Sequence, residues 1–166
     1  MKFSFSVLVL FLLILTACTS TKVVTEWETE VMNMLITIAY VGERPNIDKD
    51  GVTFVPYLKS ENYESIWISD SKFEEYSSKE ALVNMNENLN QGKVIVYLTE
   101  ENAYETIAPA FGITGYEELK EGDSIQHGFY LWKQNGEVRI GFVLGEKGSK
   151  AWKVFLEHTI TNSRNL

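Results

Sequence analysis

Histidines come first in any search for acid–base or metal chemistry, and this chain has two, His127 and His158. A catalytic zinc ion takes three protein ligands, so the pair would need a carboxylate from elsewhere. No HExxH-like spacing supplies one, and both histidines read as surface or partly packed residues. Asn46-Ile47-Asp48-Lys49-Asp50-Gly51 opens like a calcium loop, with oxygen ligands alternating ahead of a glycine. Its ninth and twelfth positions are Phe54 and Tyr57, so the bidentate Glu that encloses calcium is missing. A solvated Asp-Gly turn is the better reading, and no metal is expected. Glu100-Glu101 and Glu117-Glu118 do not define an acid–base pair, because separation across a substrate is what matters. There is no GxSxG elbow, and the glycines of Phe111-Gly112-Ile113-Thr114-Gly115 follow no convincing strand and have no cation placed to hold phosphate. The expectation is no catalytic residue and no cofactor.

Binding is the chemistry that remains. A tight turn at Asn135-Gly136 places Tyr130 and Trp132 on one strand face with Arg139 across from Trp132. An exposed Trp132–Arg139 cation–π contact is worth about 0.5–1 kcal/mol, and Trp, Tyr and Arg dominate interface hot spots. The competing reading is that a helix covers this face and makes all three packing residues. Tyr104, Phe111 and Tyr116, around a glycine-containing loop, form a weaker candidate surface.

The lone cysteine carries the sharpest signal. Met1 to Cys18 reads MKFSFSVLVLFLLILTAC: Lys2 gives a positive start, Val7 to Leu15 an unbroken apolar run, and Leu15-Thr16-Ala17-Cys18 a small-residue exit. That is the layout of a secretory signal, too short for a spanning helix of roughly twenty residues. Its ending resembles the lipobox of bacterial lipoproteins. The resemblance covers the leader alone. It implies cleavage before Cys18, a diacylglycerol on the thiol and an N-acyl group on the new amino terminus, two signals that together anchor stably. It also implies residence in the bacterial cell envelope, on the outer membrane if there are two, since Thr19 follows the cysteine where Asp is the familiar inner-membrane retention residue.

Cleavage would remove 17 of the 166 residues and one cation, Lys2, leaving 14 Lys and Arg against 23 Asp and Glu, a formal charge of −9. The acids are scattered along the chain. Nucleic acid is not an expected partner, because phosphate binding needs clustered cations. A basic protein partner steered by opposite charge fits better. With Cys18 acylated the mature chain has no disulfide, so its stability must come from an apolar core.

The elements that position these residues follow from periodicity. Residues 1–17 read as leader, 18–22 as a short tether, 23–160 as one globular domain and 161–166 as a frayed tail. Val24, Trp27, Val31, Leu35 and Ile38 recur at helical spacing, predicting an amphipathic N-terminal helix, although Leu35 to Val41 also suits a strand. Val52 to Leu58 predicts an edge strand, because Pro56 has no amide hydrogen to donate. Ile66 to Ile68 and Lys93 to Leu98 predict further strands. Phe73 to Leu89 predicts a helix that restarts at Lys79 behind a Ser77 or Ser78 cap, weakened by Asn84, Asn86, Asn88 and Asn90. Thr99 begins a helix through Ile107. Asn135-Gly136 sets a hairpin in which Gln134 faces Glu137 and Phe129 faces Phe142, with Phe129, Leu131, Val138, Ile140, Phe142 and Leu144 toward the core. A helix from Ala151 closes the chain. The fold class expected is α+β, a mostly antiparallel sheet packed by helices. The function expected is a lipid-anchored, non-catalytic binding or envelope-accessory module with a protein partner. The alternative is a tethered hydrolase of envelope material using carboxylates.

Overall fold

A computed structural model describes residues 34–58, 62–99, 103–114, 125–145 and 151–164. The leader, Cys18, the tether, the body of the expected N-terminal helix and Tyr116 lie outside them. Six strands form one sheet: β1 Ile36–Val41, β2 Val52–Pro56, β3 Ser65–Ser69, β4 Val94–Leu98, β5 Ile125–Gln134 and β6 Glu137–Gly145, in the order β2-β1-β3-β4-β5-β6. Among the described residues four α-helices accompany it: α1 Phe73–Tyr76, α2 Lys79–Asn90, α3 Tyr104–Ile107 and α4 Ala151–Ser163. The protein is therefore α+β, with a mixed sheet. Antiparallel pairing is confined to β4–β5 and β5–β6, while β2–β1, β1–β3 and β3–β4 are parallel. Among the described residues no helix is long and apolar enough to cross a membrane.

The central strands explain why they run in parallel. Ile66, Trp67 and Ile68, like Val94 to Tyr97, are buried at successive positions, which requires cover on both sheet faces. One face sets Ala39, Val41, Ile66, Ile68, Ile95 and Tyr97 against Leu82, Met85 and Leu89 of α2 and Tyr104 and Ile107 of α3. The other sets Ile36, Ile38, Trp67, Val94 and Val96 against Phe155, Leu156 and Ile160 of α4. Residues alternate between these layers along each strand, as the pleat demands.

The parallel order β2-β1-β3-β4 reverses between β1 and β3, the kind of switch found in doubly wound sheets. The β1–β2 connection packs Ile47 on the α4 face, whereas the β2–β3 connection packs Tyr57 and Tyr63 on the α2 face. Short connections without a helix hide this pattern in the sequence. The edge position expected for the strand containing Pro56 is observed: β2 pairs with β1 alone.

Local signals set the remaining boundaries. Ser78 caps α2 by accepting from the Ala81 amide at 3.4 Å, satisfying one orphan donor of the first turn. Asn135 and Gly136 both have positive φ, 52° and 84°, and the hairpin register has Gln134 opposite Glu137, Trp132 opposite Arg139 and Phe129 opposite Phe142. Beyond it the register shifts between Gln126 and Gly128, a bulge on β5. Leu144, expected in the core row, lies opposite Gln126 past that bulge and is 47% exposed. The last helix runs to Ser163, three residues into the stretch expected to be tail. Arg164 follows it, 3.7 Å from the Glu64 carboxylate.

Candidate functional site

The hairpin residues first. Tyr130 is 6% exposed, and its ring lies across Gly141, its cross-strand partner, where any β-carbon would overlap the phenol. The ring stacks on Trp132 at 5.2 Å and on His158 of α4 at 4.6 Å. Trp132 is half-buried on the same layer, and its Nε1 has no hydrogen-bond partner among the described residues. Arg139 is exposed and pairs with Glu137 two residues away, at 2.7 Å, an exposed contact worth little. The helix-covered reading is thus the one the geometry follows for Tyr130, and the three residues form no shared open surface. Of the weaker candidates, Tyr104 is buried in the α2-side core and Phe111 packs partly against it.

Burial under α4 has an electrostatic consequence. It pushes the Tyr130 phenol up to about 12, with Glu157 adding to the effect. It also holds His158 below the ordinary histidine value of 6.5, against the opposing pull of Glu157. The folded state then binds fewer protons than the unfolded chain just below pH 6.5, so stability falls as pH drops through that value toward the lower folded one. His158→Phe keeps a ring on Tyr130 and removes the proton site. Thermal melts between about pH 7 and pH 5.5 should decline less steeply for this variant than for the parent; parallel declines would refute the assignment.

The open chemistry lies on the other face, in a cleft of about 550 Å³ between the β2–β3 connection and α2. Asn84, Glu87, Asn88 and Gln91 line one wall. Their spacing of three, four and seven residues places them on one stripe of the helix. Tyr57, Leu58, Tyr63 and Lys93 complete the lining. Asn88, 5% exposed, is the hub. Its Oδ1 accepts from the Tyr63 hydroxyl at 3.2 Å and from Lys93 Nζ at 3.1 Å. Its Nδ2 donates to the Asn84 carbonyl at 2.9 Å and to Asn84 Oδ1 at 3.0 Å. Asn84 Oδ1 also accepts from the Tyr57 hydroxyl at 3.2 Å. A buried amide with every group satisfied rigidifies its neighbours, so both tyrosines and the lysine are held in place.

Aromatic contacts brace the same wall. Tyr57 meets Tyr63 edge-on at 6.0 Å and Tyr76 at 6.2 Å, and Lys93 Nζ lies 3.9 Å from the centre of the Tyr63 ring. Burial, reinforced by the neighbouring Tyr57 phenol, pushes Tyr63 up to about 12, so it stays a neutral donor and acceptor at any physiological pH. At the lip, Leu58 is 81% exposed with φ of 74°. Left-handed backbone at a non-glycine residue costs about 1–3 kcal/mol and clusters at ligand clamps.

A smaller crevice of about 260 Å³ adjoins the carboxyl ends of β1 and β2 and shares Tyr57 with the cleft. Nearby, Ser69 Oγ accepts from the Glu43 amide at 3.3 Å and contacts Ser71 Oγ at 3.0 Å. Lys72 pairs with Glu75 at 2.7 Å. Those hydroxyls close the loop after β1.

Among the described residues, Glu87 is the one carboxylate lining the cleft. Among the described residues no group of three or more His, Cys, Asp or Glu is arranged to hold a metal ion. Sequence reading missed this site because it took the asparagines of α2 as a weakness in the helix. Their shared stripe with Glu87 and Gln91 was the available signal. Comparison with protein-family models, with curated proteins and with solved structures found no match.

Proposed function

We propose that this chain is a lipid-anchored binding module of the bacterial envelope that takes its ligand in the Tyr57–Asn84–Asn88 cleft without covalent chemistry. The observation carrying this reading is the hydrogen-bond chain from Tyr57 through Asn84 and Asn88 to Tyr63 and Lys93. Groups fixed in advance lose little side-chain entropy on binding. The leader and Cys18 supply the anchor in this proposal, with diacylglycerol and an N-acyl chain as the attachment to membrane lipid. The hydrolase alternative needs two carboxylates facing across a substrate at about 5–9.5 Å, whereas among the described residues Glu87 is the one acid in the cleft lining.

The test compares the parent chain with Cys18→Ala and with an Asn84→Ala, Gln91→Ala double variant. Cys18→Ala should accumulate as an unacylated precursor and lose detergent partitioning. The double variant should remain anchored and folded but fail to retain the envelope component that the parent co-purifies from solubilised membranes. Normal acylation in the first variant defeats the anchor. Identical capture by the second removes the cleft as the binding surface.

A further inference from the structure

We infer that the cleft's ligand is a neutral, polyhydroxylated chain, that is, a glycan. This rests on the cleft being the binding surface, and goes beyond it by naming the chemistry that fills it.

Charge decides the first half. Among the described residues, Glu87 and Lys93, opposite in sign, are the two charged residues lining the cleft, in a chain whose overall formal charge is −8. An anionic ligand would meet Lys93 but also Glu87 and the repulsion of the whole molecule. A cationic ligand would be drawn by Glu87 and by the whole molecule, but inside the cleft it would meet Lys93. A neutral ligand incurs neither penalty.

Hydrogen-bonding capacity decides the second half. Asn84, Gln91 and the two phenols each both donate and accept. Asn84 and Gln91 are exposed, and the side-chain bonds to Asn84 from Tyr57 and Asn88 run through its Oδ1. A phosphate or sulfate accepts without donating, so it would leave the acceptors of this wall unmatched. Sugar hydroxyls do both, and successive hydroxyls along a ring suit a wall of alternating donors and acceptors. A peptide backbone also does both, but peptide grooves add apolar pockets for alternate side chains. Here Leu58 is the sole aliphatic residue lining the cleft, and it is exposed at the lip.

The experiment titrates the full chain, purified in a detergent without a sugar headgroup, with chitotetraose and cellotetraose as neutral probes and oligogalacturonate as the anionic control. Binding is read by calorimetry and by the side-chain amide resonances of the asparagines. One or both neutral probes should bind, and Asn84→Ala and Gln91→Ala should each weaken binding by roughly tenfold at a temperature where both variants remain folded. Tighter binding of oligogalacturonate overturns the inference, as does neutral binding that ignores both substitutions. Absence of any neutral binding up to about 10 mM, a free energy near −3 kcal/mol, also overturns it. In that last case the binding-module reading stands separately if envelope capture still depends on Asn84 and Gln91.

Discussion

Alanine at Gly128 is expected to lower stability by about 3 kcal/mol or more, because two independent costs fall on one methyl group. The backbone there has φ of 144°, a region L side chains rarely adopt. An added β-carbon would overlap the Tyr97 carbonyl oxygen and come within 3.0 Å of Phe155 Cζ and 3.2 Å of Leu98 Cα. The position sits at the β5 bulge, against Tyr97 and Leu98 of β4 and Phe155 of α4, so β4 and α4 would both have to move. Gly136 provides the comparison: its φ is 84° but nothing lies within 4 Å of an added carbon, so its alanine variant should lose about 1 kcal/mol. Denaturant midpoints for the two variants separate crowding from backbone strain. Equal, small losses would show that the bulge relaxes freely.

Trp67→Ala should be comparably severe, about 3–5 kcal/mol. Trp67 is 1% exposed at the centre of the α4-side layer, edge-on to Phe54 at 5.7 Å and to Phe155 at 6.1 Å. Its loss would open a cavity beneath three elements at once. Trp67→Phe is the informative partner. Among the described residues the indole Nε1 has no hydrogen-bond partner, so the smaller ring breaks no bond seen there and removes an unsatisfied donor, a change costing about 1–2 kcal/mol. A phenylalanine variant as unstable as the alanine variant would mean that the indole nitrogen makes a bond after all.

Local chemistry carried most of what could be read in advance. The Asn135-Gly136 turn dictates its register through positive φ, and Ser78 marks its helix through a side-chain acceptor. Both are decided within a few residues. Strand direction is not. Continuous burial through Val94 to Tyr97 signals cover on two faces, but the connections before β2 and β3 are short and show no helix among their described residues, so the usual alternation of a parallel sheet is not seen there. The cover over the hairpin face is hard to read for a related reason. Nothing local to Tyr130 shows that His158, on a helix more than twenty residues later, will stack on it. The cleft depends on Tyr57 and Tyr63 from one connection meeting an amide stripe on α2, a pairing settled by tertiary packing.

The two rims of the sheet bear on how copies of this chain coexist. An open strand edge is a template on which another copy can add, and crowding makes that more frequent. At one rim, β2 is five residues long and ends in Pro56, which cannot extend a ladder. At the other, β6 is nine residues long and pairs on one side with β5. Its exposed stretch carries the Glu137–Arg139 ion pair, so a second copy aligning there would have to strip water from both charges. The pair that adds little to folding thus discourages self-association along the longer edge.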